Sequence, residues 1–281
     1  MGDALENVRA QKPLIHNIVN GVSIHDCANV TLAIGASPIM ADDPGEAREV
    51  TSACAGLVLN LGMPTERKVE SMRLAGKAAN ELGLPVVLDP VGIGVSSFRR
   101  GIVRELLQEI HFTVIRGNAS EIRTMASLCG LAGDEEEIAE KGVDVSECDA
   151  MLGQEFAHAA SLAALLSAKL GAVVVISGER DVVASAERAY CVENGSRLMR
   201  GVTGMGCQLS SMVGAFLAAN PGEELLATLA AVTAMGVCGE IGEKSLKEGE
   251  GLGTYRIRVH DAISLLDGKT LEGLARVQRI I

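Results

Sequence analysis

The stretch best suited to chemistry is the glycine-rich run Gly201–Cys207 (GVTGMGC), directly before an apolar segment predicted to be a helix from Gln208. Glycines let backbone N–H groups approach a ligand closely. The N-terminus of a helix adds free donors and the positive end of the helix dipole, so the run predicts an anion site. Donors placed in this way can stabilise the charge that develops on a phosphoryl group during its transfer.

Cys207 stands at the positive end of the same predicted helix, where the pKa of a thiol tends to fall. A thiolate there could serve as a base or as a nucleophile. A purely structural interpretation, a glycine turn followed by a buried cysteine, stays open at this point. The chain has no GxxxxGK[ST] motif, so a nucleotide would have to be held by something other than a P-loop.

Polar side chains also end three apolar runs that are predicted to be strands. Asp89 ends PVVLD, Arg116 ends HFTVIR and Ser177 ends AVVVIS. Glu121 follows Arg116 closely, in a segment predicted to begin a helix. Ligands bind beyond the carboxyl ends of parallel strands, where two carboxylates can hold Mg²⁺ through waters and an arginine can hold phosphate. Taken singly, each residue also has a structural explanation, as a turn former, a surface cation or a first-turn carboxylate.

These side chains need a sheet to bring them together. The chain alternates short β-branched runs with longer Ala/Leu-rich segments, which predicts an α/β fold with a central, mostly parallel sheet and helices on both faces. The predicted strands are Gly56–Asn60, Pro85–Asp89, His111–Arg116 and Ala172–Ser177. The predicted helices are Thr65–Leu82, Gln154–Leu170, Gln208–Ala219 and Glu223–Gly239. The dipeptide Asn194-Gly195 predicts a hairpin between Ala189–Glu193 and Ser196–Met199.

Length and charge narrow the class of protein. The 281 residues show no repeat and no low-complexity linker, so we expect one domain over residues 1–281, with Asp134–Glu137 as a solvated loop. The net charge of −11 opposes binding to nucleic acids and to anionic membranes, which need basic patches. An anionic nucleotide would therefore have to be held by local donors and a metal ion.

The cysteines and the apolar stretches indicate a cytoplasmic protein. Seven cysteines are present without a CxxC pair, which favours reduced thiols over disulfides or zinc. The N-terminal residues contain no apolar core typical of a signal peptide. The apolar stretch Gly201–Gly222 is interrupted by polar residues and Leu225–Gly239 is too short to span a bilayer, so both are predicted to be buried helices.

Motifs from residue 13 to about residue 265 carry a resemblance to a known family. They are PLIHNIVNGVSIHDCAN (Pro13–Asn29), GASPIMAD (Gly35–Asp42), LVLNLG (Leu57–Gly62), VVLDPVGIG (Val86–Gly94), IRGNASEI (Ile115–Ile122), GVDVSE (Gly142–Glu147), ISGERD (Ile176–Asp181) and GVTGMGCQLSSMVGAF (Gly201–Phe216). In this order the sequence resembles the hydroxyethylthiazole kinases of the ribokinase-like superfamily. GASPIMA and the G-x-G-C block are its most family-specific parts.

The resemblance implies a reaction in thiamine biosynthesis and salvage. ATP and 4-methyl-5-(2-hydroxyethyl)thiazole would give ADP and the thiazole phosphate, with Mg²⁺ as the metal. It also implies a homotrimer whose thiazole sites form between subunits. By position, the resemblance implies thiazole contacts for Met40, Gly204 and Asn20, ATP contacts for Arg116 and Ser177, Mg²⁺ contacts for Asp89 and Glu121, and the role of general base for Cys207.

Other functions are open from the sequence. A kinase for another small alcohol such as hydroxymethylpyrimidine, or a repair dehydratase on the same fold, usually carries Asp where Cys207 stands. A cysteine-dependent hydrolase would need a histidine close to Cys207. The histidines all lie outside the motif, at His16, His25, His111, His158 and His260. A dinucleotide oxidoreductase is disfavoured because no GxGxxG follows a strand. ATP turnover would separate an enzyme from a non-enzymatic binding protein.

Overall fold

The computed structural model describes residues 1–131 and 154–281, so the predicted loop Asp134–Glu137 and the motif Gly142–Glu147 lie outside the described residues. The strands are β1 (Leu14–Ile18), β2 (Ser37–Ile39), β3 (Gly56–Asn60), β4 (Val86–Asp89), β5 (Val114–Asn118), β6 (Val173–Ser177), β7 (Asp181–Ala184), β8 (Ala189–Val192) and β9 (Val277–Arg279). The helices, numbered along the described ranges, are α1 (Gly2–Gln11), α2 (Ile24–Ile34), α3 (Ala47–Ser52), α4 (Glu66–Glu81), α5 (Ser97–Glu109), α6 (Ala119–Leu128), α7 (Gln154–Leu170), α8 (Met205–Ala219), α9 (Glu224–Lys244), α10 (Leu252–Leu265) and α11 (Gly268–Leu274).

The strands form one sheet in the order β2-β1-β3-β4-β5-β6-β7-β8-β9. The strands from β2 to β6 are parallel, and β7, β8 and β9 add an antiparallel edge. Asn60 pairs with Asp89, and Asn118 pairs with Ser177. Polar residues at the carboxyl ends of neighbouring strands are thereby aligned at one edge of the sheet, which confirms the prediction of a mostly parallel sheet.

Apolar side chains pack on both faces of the sheet. Val58 and Val87 belong to the cluster that includes residues of α1, α2 and α8 to α11. Leu57 and Leu88, one position away along the same strands, belong to the cluster that includes residues of α4 to α7. Successive side chains in a strand point to opposite faces, so a strand covered on both sides must be apolar throughout. The continuous apolar runs in the sequence therefore identified these strands correctly.

The helix predicted from Gln208 begins earlier, at Met205. Gly204 precedes it with a left-handed φ of 82°, a conformation that glycine adopts without steric cost. Cys207 is therefore the third residue of α8. It lies inside the first turn, where backbone N–H groups have no partner within the helix.

The predicted hairpin around Asn194-Gly195 is wrong. The segment Arg197–Gly201 forms a 3-10 helix, and β8 pairs with β7 and β9 instead. The reason is a tertiary contact, because the Asn194 side chain accepts a hydrogen bond from the backbone N–H of Arg276 at 2.6 Å and donates one to the carbonyl of Leu274 at 2.9 Å. These bonds hold Asn194 against the C-terminal segment. Hairpins join β6 to β7 and β7 to β8 instead.

In the part of the chain that the structure describes, α9 is the one helix long and apolar enough to cross a membrane. Its most apolar window is 78% buried inside the protein. Helix α9 packs against α8 and α10. This is the environment of a core helix, as the sequence predicted for this segment.

Candidate functional site

Asp89, the last residue of β4, is fully buried at the carboxyl edge of the sheet. Its Oδ2 atom accepts hydrogen bonds from Asn60 Nδ2 and Ser210 Oγ, each at 2.8 Å. The Nη1 atom of Arg116 lies 3.7 Å from the same oxygen. Burial raises the pKa of Asp89, while the charge of Arg116 and the two hydrogen bonds oppose the rise. The other oxygen, Oδ1, has no hydrogen-bond partner among the described residues, which leaves it available to a ligand.

Cys207 is joined to this carboxylate by two asparagines. The Nδ2 atom of Asn20 donates to Cys207 Sγ at 3.4 Å and to Asn60 Oδ1 at 2.9 Å. The Oδ1 atom of Asn20 accepts hydrogen bonds from the backbone N–H groups of Val22 and Ser23. The Asn20 amide is therefore fixed at both ends and presents a donor to the thiol.

The pKa of the Cys207 thiol is raised, so the sequence-based expectation of a lowered pKa is wrong. Burial is the largest cause and the charge of Asp89 adds to it, because both disfavour the thiolate. Hydrogen bonds from Ser23, Asn60 and Asn20 act in the opposite direction but do not compensate. Cys207 is consequently a neutral thiol at neutral pH.

The guanidinium of Arg116 packs on the first turn of α8. A Cβ atom added to Gly206 would lie 2.4 Å from Arg116 Nη1, so only glycine allows this approach. The Nη2 atom donates to Ser177 Oγ at 2.5 Å. Gly204 offers no side-chain cap to the helix. The predicted anion site is thus assembled from Arg116, Ser177 and the N-terminus of α8.

Glu121 has a structural role in capping α6. Its Oε2 accepts a hydrogen bond from the backbone N–H of Asn118 at 2.8 Å, and Asn118 Oδ1 accepts one from the N–H of Glu121 at 2.9 Å. Its Oε1 accepts a hydrogen bond from the N–H of Gly92, just beyond β4, at 2.8 Å. The charge of Glu121 contributes to the raised pKa of Asp89, so the two carboxylates are electrostatically coupled. Over the described ranges, no cluster of three or more His, Cys, Asp or Glu side chains forms a metal site.

A cavity of about 640 Å³ opens beside Arg116 and Ser177. Its apolar wall includes Val232 and Met235 of α9, and its volume is in the range of small-molecule sites. Its charged lining residues are Arg116, Arg180, Arg197, Arg200, Arg276, Glu179, Asp181 and Glu193. Arginines outnumber carboxylates there although the whole chain carries a net charge of −11, so the cavity suits an anionic ligand.

One carboxylate of this cavity has a perturbed pKa. Burial raises the pKa of Asp181 to about 6, against the effects of a hydrogen bond from the Gly178 N–H and the charge of Arg116. Asp181 Oδ1 accepts that hydrogen bond at 2.9 Å. Its charge therefore changes within a moderately acidic pH range.

The structure brings most of the predicted site residues together. Hydrogen bonds or close charges connect Asn20, Asp89, Arg116, Ser177 and Cys207. Gly204 faces Ser23, because a Cβ atom at Gly204 would lie 3.0 Å from that of Ser23. Met40 is half-buried directly after β2 and makes no polar side-chain contact with the other predicted residues.

Several members of the site were missed. Asn60 ends β3 just as Asp89 ends β4, so the strand-end rule could have found it. Ser210 lies one turn after Gly206 on α8, and its hydroxyl also reaches the Gly206 carbonyl at 3.3 Å. Arg276 reaches the cavity from the C-terminal segment, and no local pattern in the sequence signals its position.

Comparison with known proteins assigns the chain to a family. The model of the hydroxyethylthiazole kinase family matches residues 5–269. The chain belongs to this family. A hydroxyethylthiazole kinase from Clostridium acetobutylicum is 46% identical over 276 residues, which cover 98% of each protein.

Solved structures agree with the family assignment. The hydroxyethylthiazole kinase protein from Pyrococcus horikoshii aligns with a TM-score of 0.82 and 32% sequence identity, over 99% of this chain and 98% of that one. A ribokinase-like superfamily protein from Enterococcus faecalis aligns with a TM-score of 0.61 and 13% identity, over 94% of this chain and 93% of that one. At that identity the likeness shows the fold alone, and the prediction of a ribokinase-like fold is confirmed.

Proposed function

We propose that this protein is an ATP-dependent kinase that phosphorylates the primary hydroxyl of 4-methyl-5-(2-hydroxyethyl)thiazole. The products would be ADP and the thiazole phosphate, in thiamine biosynthesis and salvage. The observation that carries the proposal is the contact of Asn20 with Cys207 beside Asp89 and Arg116, at the N-terminus of α8. The relatives with high coverage are named hydroxyethylthiazole kinase, which supports the choice of alcohol.

In this proposal the 640 Å³ cavity binds ATP. Arg116 and Ser177 contact the phosphates, and the uncapped N–H groups of α8 stabilise the charge on the phosphoryl group as it is transferred. The apolar wall of Val232 and Met235 accommodates the base. The excess of arginines over carboxylates offsets the repulsion that a strongly acidic protein exerts on a polyphosphate.

Asp89 and Glu121 would hold Mg²⁺ in part through waters, since no third ligating side chain joins them in a cluster among the described residues. The fit rests on Asp89 Oδ1, a buried oxygen without a hydrogen-bond partner in the described structure. A bound Mg²⁺ ion would neutralise charge on the ATP phosphates. Glu121 keeps acceptor capacity beyond its two backbone hydrogen bonds, because a carboxylate has about four lone-pair positions.

On the side of the alcohol, Met40, Gly204 and Asn20 would contact the thiazole and Cys207 would accept the proton of the hydroxyl. Only the thiolate of Cys207 can take this proton, so the thiol would first lose its own proton to solvent, and its raised pKa makes the thiolate the minor form. A loose phosphoryl-transfer transition state needs the base only late. The N–H of Asn20 would stabilise this thiolate before it takes the proton of the hydroxyl, since it already donates to Cys207 Sγ. The charge of Asp89 acts against that thiolate, which makes the donor more valuable.

We also propose that residues 1–281 form one domain, because strands from β1 near the N-terminus to β9 near the C-terminus join one sheet. A homotrimer with sites between subunits is supported by exposed apolar side chains beside the site. Val22 is 62% exposed two residues after Asn20, and Met63 is 57% exposed three residues after the end of β3. A cytoplasmic enzyme is supported by the use of ATP and by an odd number of cysteines without a CxxC pair.

The test is identification of the products. Purified protein is incubated with ATP, Mg²⁺ and the thiazole alcohol, and the thiazole phosphate is measured by mass spectrometry together with ADP. We expect equal amounts of the two products. ADP formation without the thiazole phosphate, or a clear preference for hydroxymethylpyrimidine under the same conditions, would contradict the proposed substrate.

A further inference from the structure

The segment between Met40 and Asp43, directly after β2, is held by side chains from other elements. His16 on β1 lies with its Nε2 atom 2.7 Å from the carbonyl oxygen of Ala41, in a buried hydrogen bond. Ser71 on α4 donates from Oγ to the carbonyl oxygen of Asp42 at 2.7 Å. This segment carries Met40, the proposed thiazole contact, and is anchored at the two residues that follow it.

Lys68 on α4 connects this segment to the residues that follow β1. Its Nζ atom lies 3.3 Å from Asp42 Oδ2 and donates to the carbonyl oxygen of Val19 at 2.9 Å. Val19 directly precedes Asn20, which contacts Cys207. One ammonium group therefore joins the end of β1 to the segment after β2. The Lys68 side chain is only 13% exposed, so its ammonium group is largely shielded from water and its charge strengthens the bond to the Val19 carbonyl, whereas the Asp42 side chain is 55% exposed.

The position of Lys68 is itself fixed by the start of α4. The backbone N–H of Lys68 donates to Oγ1 of Thr65, the N-cap residue of that helix. The neighbouring Arg67 offers a natural comparison, since it pairs with Asp43 of the same segment. The side chain of Arg67 is 71% exposed, and exposed ion pairs contribute little to stability. Two consecutive cations thus pair with two consecutive aspartates; both aspartates are partly exposed, but Lys68 itself is shielded and Arg67 is not.

We propose that Lys68 is a positioning residue for the alcohol substrate. It sets the separation between Asn20, beside the catalytic thiol, and Met40, against the ring. The inference rests on the proposed function for the roles of these two residues. A small displacement of a residue that orients the substrate lowers turnover strongly, although the displaced residue takes no part in the chemistry. Lys68 does not line the cavity proposed to bind ATP, so ATP binding should be spared.

The kinetic test compares Lys68→Met, Lys68→Arg and the control Arg67→Met. Lys68→Met and Arg67→Met each remove one cation that pairs with an aspartate of the segment. For Lys68→Met we expect a lower kcat and a higher KM for the thiazole alcohol, which together lower kcat/KM about tenfold, with the KM for ATP changed by less than about twofold. Lys68→Arg should recover much of the loss, because a guanidinium can reach both acceptors. Arg67→Met should match the wild type within about twofold.

A second measurement does not depend on activity. Hydrogen exchange of the amides of residues 40–43 should be faster in Lys68→Met than in the wild type and unchanged in Arg67→Met. If Lys68→Met matches Arg67→Met in both kinetics and exchange, or if its KM for ATP rises as much as that for the alcohol, the inference is wrong. If the wild type fails to phosphorylate the thiazole alcohol, the proposed function fails and exchange alone decides the role of Lys68.

Discussion

The side-chain amide of Asn20 donates a hydrogen bond to the Sγ atom of Cys207 at 3.4 Å, across 187 positions of sequence. The contact joins the end of β1 to the first turn of α8. Because Asn20 also donates to Asn60, which donates to Asp89, the thiol and the buried carboxylate belong to one network. The network places a donor beside the sulfur, where it would stabilise the thiolate form of Cys207 that accepts the proton of the alcohol.

Removal of the thiol tests this role. We predict that Cys207→Ala lowers kcat by about a hundredfold or more, in the range typical of a lost general base. ATP binding should persist, because the cavity is formed by other residues. Steady-state kinetics and a nucleotide-binding titration measure the two effects separately.

Cys54→Ala is the matched control for this substitution. Cys54 is buried near α3, where its Sγ donates to the carbonyl oxygen of Val50, and it has no place in the network of Asn20. Its loss should leave kcat unchanged. Normal turnover of Cys207→Ala would remove Cys207 from the mechanism.

The close approach of Arg116 to α8 gives a second prediction. A methyl group at Gly206 would collide with the guanidinium at 2.4 Å, so Gly206→Ala should displace Arg116 from the phosphate site. We expect the KM for ATP to rise about tenfold, which corresponds to about 1.4 kcal/mol. Gly101→Ala in α5 is the control, because a Cβ atom there meets open space and alanine favours the helix. An equal KM for ATP in Gly206→Ala and Gly101→Ala would show that the position of Arg116 for phosphate binding does not depend on a glycine at 206.

The raised pKa of Asp181 leads us to predict that ATP binding depends on pH. Its pKa is raised to about 6, so the carboxyl is largely neutral below that pH and ionised above it. Ionisation adds a negative charge to a cavity proposed to hold phosphates, and ATP affinity should therefore fall as the pH rises through about 6. Asp181→Asn should bind ATP about threefold more tightly than the wild type near neutral pH, with the difference vanishing at about pH 5. Calorimetric titration at the two pH values measures it, and a constant difference would contradict the assignment.

The buried thiols predict a loss of stability in alkali. Burial raises the pKa of Cys27 and Cys238 to about 12 and that of Cys54 to about 11. The unfolded chain releases these protons near the ordinary thiol pKa whereas the folded chain retains them, so the free energy of unfolding falls as the pH rises above that value. Denaturant titrations under reducing conditions at about pH 8 and about pH 10 should show the fall.

Cys238→Ala isolates one contribution to this fall. Its decrease in unfolding free energy over the same pH range should be smaller than that of the wild type by about 1 kcal/mol. Lysines and tyrosines titrate equally in both proteins and cancel in the comparison. Identical decreases would mean that Cys238 is not shielded from water as its burial indicates.

The sequence predicted the central strands well because strands buried on both faces must be apolar throughout. It did not predict β1 (LIHNI), since His16 and Asn17 interrupt the apolar pattern. Both are buried, and His16 is satisfied by Thr51 Oγ1 and the Ala41 carbonyl, partners that only the folded chain supplies. The edge strand β9 has three residues, two of them exposed, and carries too weak a signal to be found.

The candidate site, like the sheet, was predictable only where a local sequence pattern marks its residues. Asp89, Arg116 and Ser177 could be proposed from the sequence because they stand at, or within two residues of, the carboxyl ends of the adjacent strands β4, β5 and β6, which the topology aligns. The direction of the pKa shift of Cys207 was not predictable, because burial and the charge of Asp89 depend on packing across the sheet. The arginine-rich lining was missed for a similar reason, since Arg276 enters the cavity from the end of the chain.

The central claim is that the protein transfers phosphate from ATP to the thiazole alcohol. It is tested most directly by a coupled ADP-release assay with the thiazole alcohol, hydroxymethylpyrimidine and a sugar alcohol offered separately. We predict ADP release that depends on the thiazole alcohol and exceeds that with either other alcohol by at least about a hundredfold in kcat/KM. Release independent of the thiazole alcohol, or faster with either of the others, would contradict the account.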